Sequence, residues 1–334
     1  MDFDGDGILD LISGSYDPGH CYLFRGKGKG EYKERETITD KSGKPVVTNT
    51  EMTTPVESFG SWVAMVDWDN DGDLDLILGT YQGAMLLRLN EGTRAKPVFA
   101  ATNIPIQAAG KPLQVPGAHA TPVVADWDGD GLWDLLSGSE NGGVYFYRNT
   151  GKPGAPTFAA AVTLVPPHNG LGYNEFLDTG EKPRPGIRSQ IFVADVDGDG
   201  KLDLLLGDFC TNTAPRPDLT SPERTKMLEI RRRMAELEPK VQQLREEIDQ
   251  KFQAIVKEAA KSMPKADFMK QENQKKLMDK RKALFDEPGT AKLYKEQSDL
   301  AKELKGYLAK PAKQTFGADD MGMAHGYVWL YLRK

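Results

Sequence analysis

DFDGDGILDLISG from Asp2 to Gly14, DWDNDGDLDLILG from Asp67 to Gly79, DWDGDGLWDLLSG from Asp126 to Gly138 and DVDGDGKLDLLLG from Asp195 to Gly207 align without a gap, and their starts lie 65, 59 and 69 residues apart. A recurrence at this period marks a repeat architecture, in which each copy is one supersecondary unit. Short apolar runs at 62–66, 122–125 and 191–194 precede three of the copies and read as a first strand, A. The LDL run of each copy reads as strand B and ends in Gly14, Gly79, Gly138 or Gly207. Aromatic-rich runs at 21–24, 85–89, 144–147 and 327–332 read as strand C, and runs at 97–100 and 157–160 as strand D. The connectors share a further signature, SGKP at Ser42, AGKP at Ala109 and GEKP at Gly180. Four short strands per unit of roughly 60 residues predict the blades of an all-β propeller. The first unit has only Met1 ahead of its aspartates and the last stops after strand C. The expectation is an incomplete ring, with upstream blades and any export signal outside this sequence.

Each copy has the form D-x-D-x-D-G-x-x-D, with every aspartate position filled. Carboxylates at alternate positions of a tight loop, with one backbone carbonyl, supply the roughly six to eight oxygens that a hard cation such as Ca²⁺ takes. The candidate ligands are Asp2, Asp4, Asp6, Asp10 and the carbonyl of Ile8; Asp67, Asp69, Asp71, Asp75 and the carbonyl of Asp73; Asp126, Asp128, Asp130, Asp134 and the carbonyl of Leu132; and Asp195, Asp197, Asp199, Asp203 and the carbonyl of Lys201. That makes about four Ca²⁺ sites. An EF-hand opens the same way but needs Glu at position 12 between two helices. Here that position holds Ser13, Leu78, Ser137 or Leu206, inside a strand-like run. The structural alternative is that the aspartates only make Asx turns, but several carboxylates crowded together without a cation repel one another.

The aspartate loop followed by L-D-L-L-x-G resembles the VCBS/FG-GAP repeats of bacterial surface proteins and of the integrin α-subunit head. The resemblance covers Met1 to about Phe209 and the terminal HGYVWLYLR strand. It implies a calcium-bearing propeller in an extracellular, periplasmic or cell-surface setting, and no single activity.

Composition changes sharply along the chain. The formal charge is -6 overall, but residues 217–313 carry +6 and the remainder -12, and that segment holds two of the 34 glycines and none of the five tryptophans. Met227, Ile230, Met234, Leu237, Val241, Leu244 and Ile248 alternate three and four apart, which predicts a coiled-coil helix. Ser221 is its expected N-cap and Pro239 its expected kink or break. Weaker helical patterns follow at about 265–285 and from Leu293 to Tyr307. The organisation is therefore 1–213 propeller blades, 214–321 a helical insertion between strands B and C of the last blade, and 322–334 the final strand.

Arg231-Arg232-Arg233 and Lys280-Arg281-Lys282 raise nucleic-acid binding, but the interspersed Glu residues fit a solvated helix face better. No apolar run reaches membrane-spanning length. The histidines, His20, His119, His168 and His325, fall in different units with no metal-ligand spacing. Strand alternation puts the calcium loops on one face of the propeller and the insertion with the long connectors on the other. That opposite face is the expected surface for a protein or glycan partner, with Tyr173, Phe176 and Arg188 as candidate contacts. The reading is a binding module that does not catalyse, with a polysaccharide lyase or a calcium-dependent lectin as the alternative.

Overall fold

The computed structural model of the chain describes residues 1–48, 60–168, 174–176, 184–268, 270–309 and 323–334. It is a succession of antiparallel sheets followed by helices. The second unit forms a four-stranded sheet from Ser61–Val66, Asp75–Thr80, Met85–Arg88 and Ile104–Pro105, and the third from Thr121–Ala125, Asp134–Gly138, Val144–Tyr147 and Val162–Val165, each in chain order. In the first unit Leu11–Ser13, Tyr22–Phe24 and Glu36–Thr37 make three strands. In the last, Ile187–Ala194 pairs with the long Asp203–Thr213, which pairs in turn with Val328–Tyr331.

Successive sheets pack face on face. Phe3, Cys21 and Leu23 of the first unit meet Met65, Leu76 and Leu78 of the second. Ile77, Met85 and Leu87 meet Leu135, Tyr145 and Tyr147 of the third. Val144 of the third packs with Leu204, Leu206 and Trp329 of the last.

The glycine that closes each copy has a steric reason. A Cβ on Gly14 would lie 1.9 Å from the Ser61 carbonyl oxygen, on Gly79 2.0 Å from that of Ala120, and on Gly138 2.1 Å from that of Ser189. The first strand of the following unit passes directly over the end of strand B, and only glycine admits that approach. At Gly207 the nearest atom is 3.6 Å away. The apolar Phe192 and Val328 of that last sheet stay 64% and 72% exposed.

The runs 97–100 and 157–160 are not fourth strands; those lie a few residues on, at Ile104–Pro105 and Val162–Val165. Phe99 and Phe158 are instead buried anchors, each making an isolated bridge to an asparagine of its own unit, Asn90 or Asn149, and another to the preceding connector at Asp40 or Ala108. The connector signature thus stitches neighbouring units together, with Lys41 N and Ala109 N donating to the Phe99 and Phe158 carbonyls at 2.8 Å.

The helical segment opens with α1, Ser221–Ser262, followed by α2, Lys265–Phe268, α3, Gln271–Phe285, and α4, Pro288–Lys305. The N-cap is Thr220, not Ser221. Its hydroxyl accepts from Glu223 N while the Glu223 carboxylate accepts from Thr220 N, a reciprocal capping box that outcompetes the neighbouring serine. The helix continues through Pro239 without a break. Met227, Ile230, Met234, Leu237, Val241 and Ile248 are buried on one face of α1. Met227, Ile230 and Met234 pack with Leu300 and Leu304 of α4, and Phe252 packs with Leu277 of α3, giving a helical hairpin. It departs from the Thr213 end of Asp203–Thr213, the end remote from the aspartate loop, and its stem is tied by Ala309 N to Ala214 O at 2.8 Å.

Gly79→Ala should lower unfolding stability by about 2–4 kcal/mol, because the next unit must move to admit the methyl. Gly207→Ala, with room at the same position, should be near neutral. Denaturant melts of the two variants check this, and equal effects would contradict the inter-unit role.

Candidate metal centres

The loop backbone is built for its aspartates. Two residues in each loop are left-handed: Gly5 and Gly7, Asn70 and Gly72, Gly129 and Gly131, Gly198 and Gly200, with φ between 62° and 93°. Asn70 stands where the other copies have glycine and is among the side chains that tolerate this region best. These turns bring backbone amides onto the first carboxylate. Asp2 accepts from Gly5 N and Gly7 N at 2.8 and 3.1 Å, Asp126 from Gly129 N and Gly131 N at 2.8 and 3.0 Å, and Asp195 from Gly198 N and Gly200 N at 2.7 and 3.0 Å. Asp67 accepts from Asp71 N and Gly72 N.

The fourth aspartate has a second duty. Asp10 accepts from Phe3 N and Gly26 N, Asp75 from Trp68 N and Asn90 N, Asp134 from Trp127 N and Asn149 N, and Asp203 from Val196 N and Arg333 N, all between 2.7 and 3.0 Å. One oxygen holds the loop and the other holds the residue after strand C. All four side chains are buried. The bond from Arg333 spans 130 residues and returns the chain to the last unit after the helices.

With the backbone so arranged, carboxylate oxygens of Asp2, Asp4 and Asp6 lie within 4.8 Å of one another, as do those of Asp67, Asp69 and Asp71, those of Asp126, Asp128 and Asp134, and those of Asp195, Asp197 and Asp199. The amides of Ile8, Asp73, Leu132 and Lys201 donate to the third aspartate of their loops, Asp6, Asp71, Asp130 and Asp199. Two oxygens are left wanting: Oδ1 of Asp73 and Oδ1 of Asp128 are buried with no hydrogen-bond partner among the described residues. Buried unpaired carboxylate oxygens are costly, and an all-oxygen set of this kind fits Ca²⁺.

The loops differ in what faces them. In the first, Arg25 pairs with Asp4. In the third, Arg148 reaches Asp128 at 2.6 Å and Asp130 at 3.3 Å. Arg25 and Arg148 each precede the residue clamped by the fourth aspartate; Leu89 and Leu332 occupy that place in the other two units. In the second loop burial, reinforced by Asp71, Asp69 and Asp67, pushes the Asp73 carboxyl up to about 6. Burial does the same to Asp75, also to about 6, against the two amides it accepts.

At the other end of the sheets the structure gathers side chains that sequence spacing does not join. His119 Nδ1 lies 2.6 Å from a Glu140 oxygen, and Arg188 Nε lies 3.2 Å from the same carboxylate. The imidazole is stacked on Trp62, centroids 5.3 Å apart, and meets Tyr81 at 4.0 Å. Of the three contacts expected for a partner, Arg188 joins this group. Phe176 belongs to the short strand Asn174–Phe176, parallel to Thr211–Thr213, and Tyr173 lies outside the described residues. Trp62 and Tyr81 belong to the second unit and His119 and Glu140 to the third, so no local motif announces them.

These observations define a protein of repeated antiparallel sheets, each opened by a multi-aspartate loop. Residues 2–78 and 126–206 match the FG-GAP-like repeat. Cartilage acidic protein 1 of Xenopus tropicalis is 26% identical over 189 residues, covering 56% of this chain and 25% of that protein. Its Mus musculus counterpart is 26% identical over 140 residues, covering 40% and 19%. The chain thus spans a quarter or less of these relatives' length. Among solved structures, an Agrocybe aegerita lectin specific for non-reducing terminal N-acetylglucosamine matches with 20% identity over 61% of this chain and 45% of its own, at a TM-score of 0.33. The Photorhabdus luminescens Tc holotoxin pore matches with 16% identity over 64% of this chain and 8% of its own, at 0.29.

A carboxyl whose folded pKa is raised from 3.8 to about 6 contributes stability that is full below the lower value and is lost as pH rises through the higher one. In chelator, therefore, the melting temperature should fall between about pH 5 and pH 7. Asp73→Asn should remove part of that fall and raise the chelated melting temperature near pH 7 by a few degrees. Identical pH profiles for the two proteins in chelator would contradict this.

Proposed function

We propose that this chain is part of a calcium-loaded β-propeller and works as an extracellular binding module, taking a protein or glycan partner at the end opposite the calcium loops and catalysing nothing. The reading is carried by one observation: four loops of the same build each converge three carboxylates within 4.8 Å, an arrangement that repels itself until a cation is shared. The family match supports both the propeller and the ion. Much of the carboxylate set is open to solvent, and sites of that kind fall in the roughly 10⁻⁴–10⁻³ M affinity range of extracellular modules. The name of the cartilage relatives points to the same setting. Among the described residues no helix is long and apolar enough to cross a membrane.

A second reading has one specific observation behind it. Trp133, 55% exposed, stands with Trp68, Pro153 and Phe158 around a cavity of about 190 Å³ beside Asp67. A calcium-dependent lectin would use such aromatic surface on the loop side.

Millimolar Ca²⁺ should raise the melting temperature over that in chelator, by mass action on the folded state. Arg148→Gln should tighten the third site by roughly tenfold, since the guanidinium competes for Asp128 and Asp130. The same titration on the second site, which has Leu89 in place of the arginine, should be unaffected. Equal melting temperatures with and without Ca²⁺ would sink the reading.

A further inference from the structure

We propose that the cleft at the end of the sheets remote from the aspartate loops binds a neutral saccharide, an inference that rests on the binding-module reading and gives it a site and a ligand class. The cleft holds about 540 Å³ and is walled by the beginnings of three first strands together with the Ile12–Tyr16 stretch, a size typical of small-ligand sites. Its accessible polar side chains include Ser15 and Gln190, with the buried Ser61 and Thr121 in the wall behind them, and its aromatic surface comes from Tyr16 and Trp62. Tyr16 is the one ionisable side chain among the lining residues. A charged ligand would find no opposite charge there and would lose its hydration uncompensated. A pyranose, with hydroxyls on its rim and an apolar face, matches hydroxyls, an amide and rings.

The wall is made rigid at a cost in backbone strain. Ser61 Oγ accepts from Ser15 N at 3.1 Å and donates to His20 O at 3.3 Å, and Thr121 Oγ1 accepts from Gly138 N at 2.9 Å and donates to Ser189 O at 3.3 Å, so both hydroxyls tie the wall together. Trp62 is backed by His119, and Tyr16 continues the ring contacts through Tyr81 at 6.2 Å. Buried His119 is fixed by Glu140, whose same oxygen Arg188 also reaches. Ala118, His119 and Arg188 are all left-handed, with φ of 66°, 50° and 56°, half of the described non-glycine residues in that region. Arg188 sits where the pairing of its strand slips between Ile187 and Gln190. Each such conformation costs stability, and their convergence behind one cleft is the pattern of a positioned binding surface.

The test is titration of the calcium-loaded chain with glucose, galactose, mannose, N-acetylglucosamine and their uncharged oligomers, followed by ligand-observed NMR and calorimetry. A neutral sugar should bind, and Tyr16→Ala and Gln190→Ala, both at exposed positions outside the core, should each weaken it at least about tenfold. Trp133→Ala, at the loop end, should leave it unchanged. Absence of binding by every neutral sugar, preference for a sulfated or uronic sugar, or loss of binding in Trp133→Ala alone would overturn the site. If a protein partner is captured while no sugar binds, the saccharide site falls and the binding-module reading stands. If the chain binds sugar but no Ca²⁺, the saccharide site stands and the calcium part of the proposed function falls.

Discussion

In each unit one buried carboxylate accepts two backbone amides, one from its own loop and one from beyond strand C. A carboxylate with no exposure is tolerable only when hydrogen-bonded, and here the partners are amides that would otherwise need partners of their own. Asp75, between Trp68 N and Asn90 N, therefore fixes where the loop closes and where the third strand ends. Asp203 does the same across the whole helical segment, through Arg333. With the loop pinned in this way, its remaining carboxylates have nowhere to go but toward one another. Structure and electrostatics are thus set by the same residues, and the charge they concentrate calls for a cation.

The repeat, the order of its first three strands and the return of the terminal strand were legible because aspartates, apolar runs and closing glycines recur locally at fixed offsets. The reason for the glycine was not legible: at Gly79 it is the carbonyl of Ala120, a residue of the next unit. The fourth strand was misplaced because Phe99 and Phe158, flanked by small residues, look like strand while serving as anchors between units. Thr220 displaced Ser221 as N-cap because the Glu needed for the capping box lies three residues after Thr220. Of the candidate ligands, three aspartates per loop lie within 4.8 Å of one another, while Asp10, Asp75, Asp130 and Asp203 fall outside those groups. Asp73, read from sequence only as a carbonyl donor, is buried as a side chain as well.

The cleft group shows the opposite case. His119, Glu140, Arg188, Trp62 and Tyr81 meet only because successive sheets stack, and three left-handed residues, none of them Asn, Asp or Gly at a turn signature, shape the wall. The molecule therefore has two ends of different chemistry: carboxylates and backbone turns at one, and rings, hydroxyls and a paired histidine at the other. The helical hairpin leaves from the second end, where Arg232 and Arg233 are already paired with Glu236 and Glu296.

The central claim is that the aspartate loops are cation sites, and the number of Ca²⁺ ions held per chain tests it most directly. Equilibrium dialysis of the chelator-stripped chain against millimolar Ca²⁺ should give about four ions, with one lost for each loop in which the first and third-position aspartates, such as Asp67 and Asp69, are changed to Asn. Uptake of no ions, or a stoichiometry unchanged by those substitutions, would contradict it.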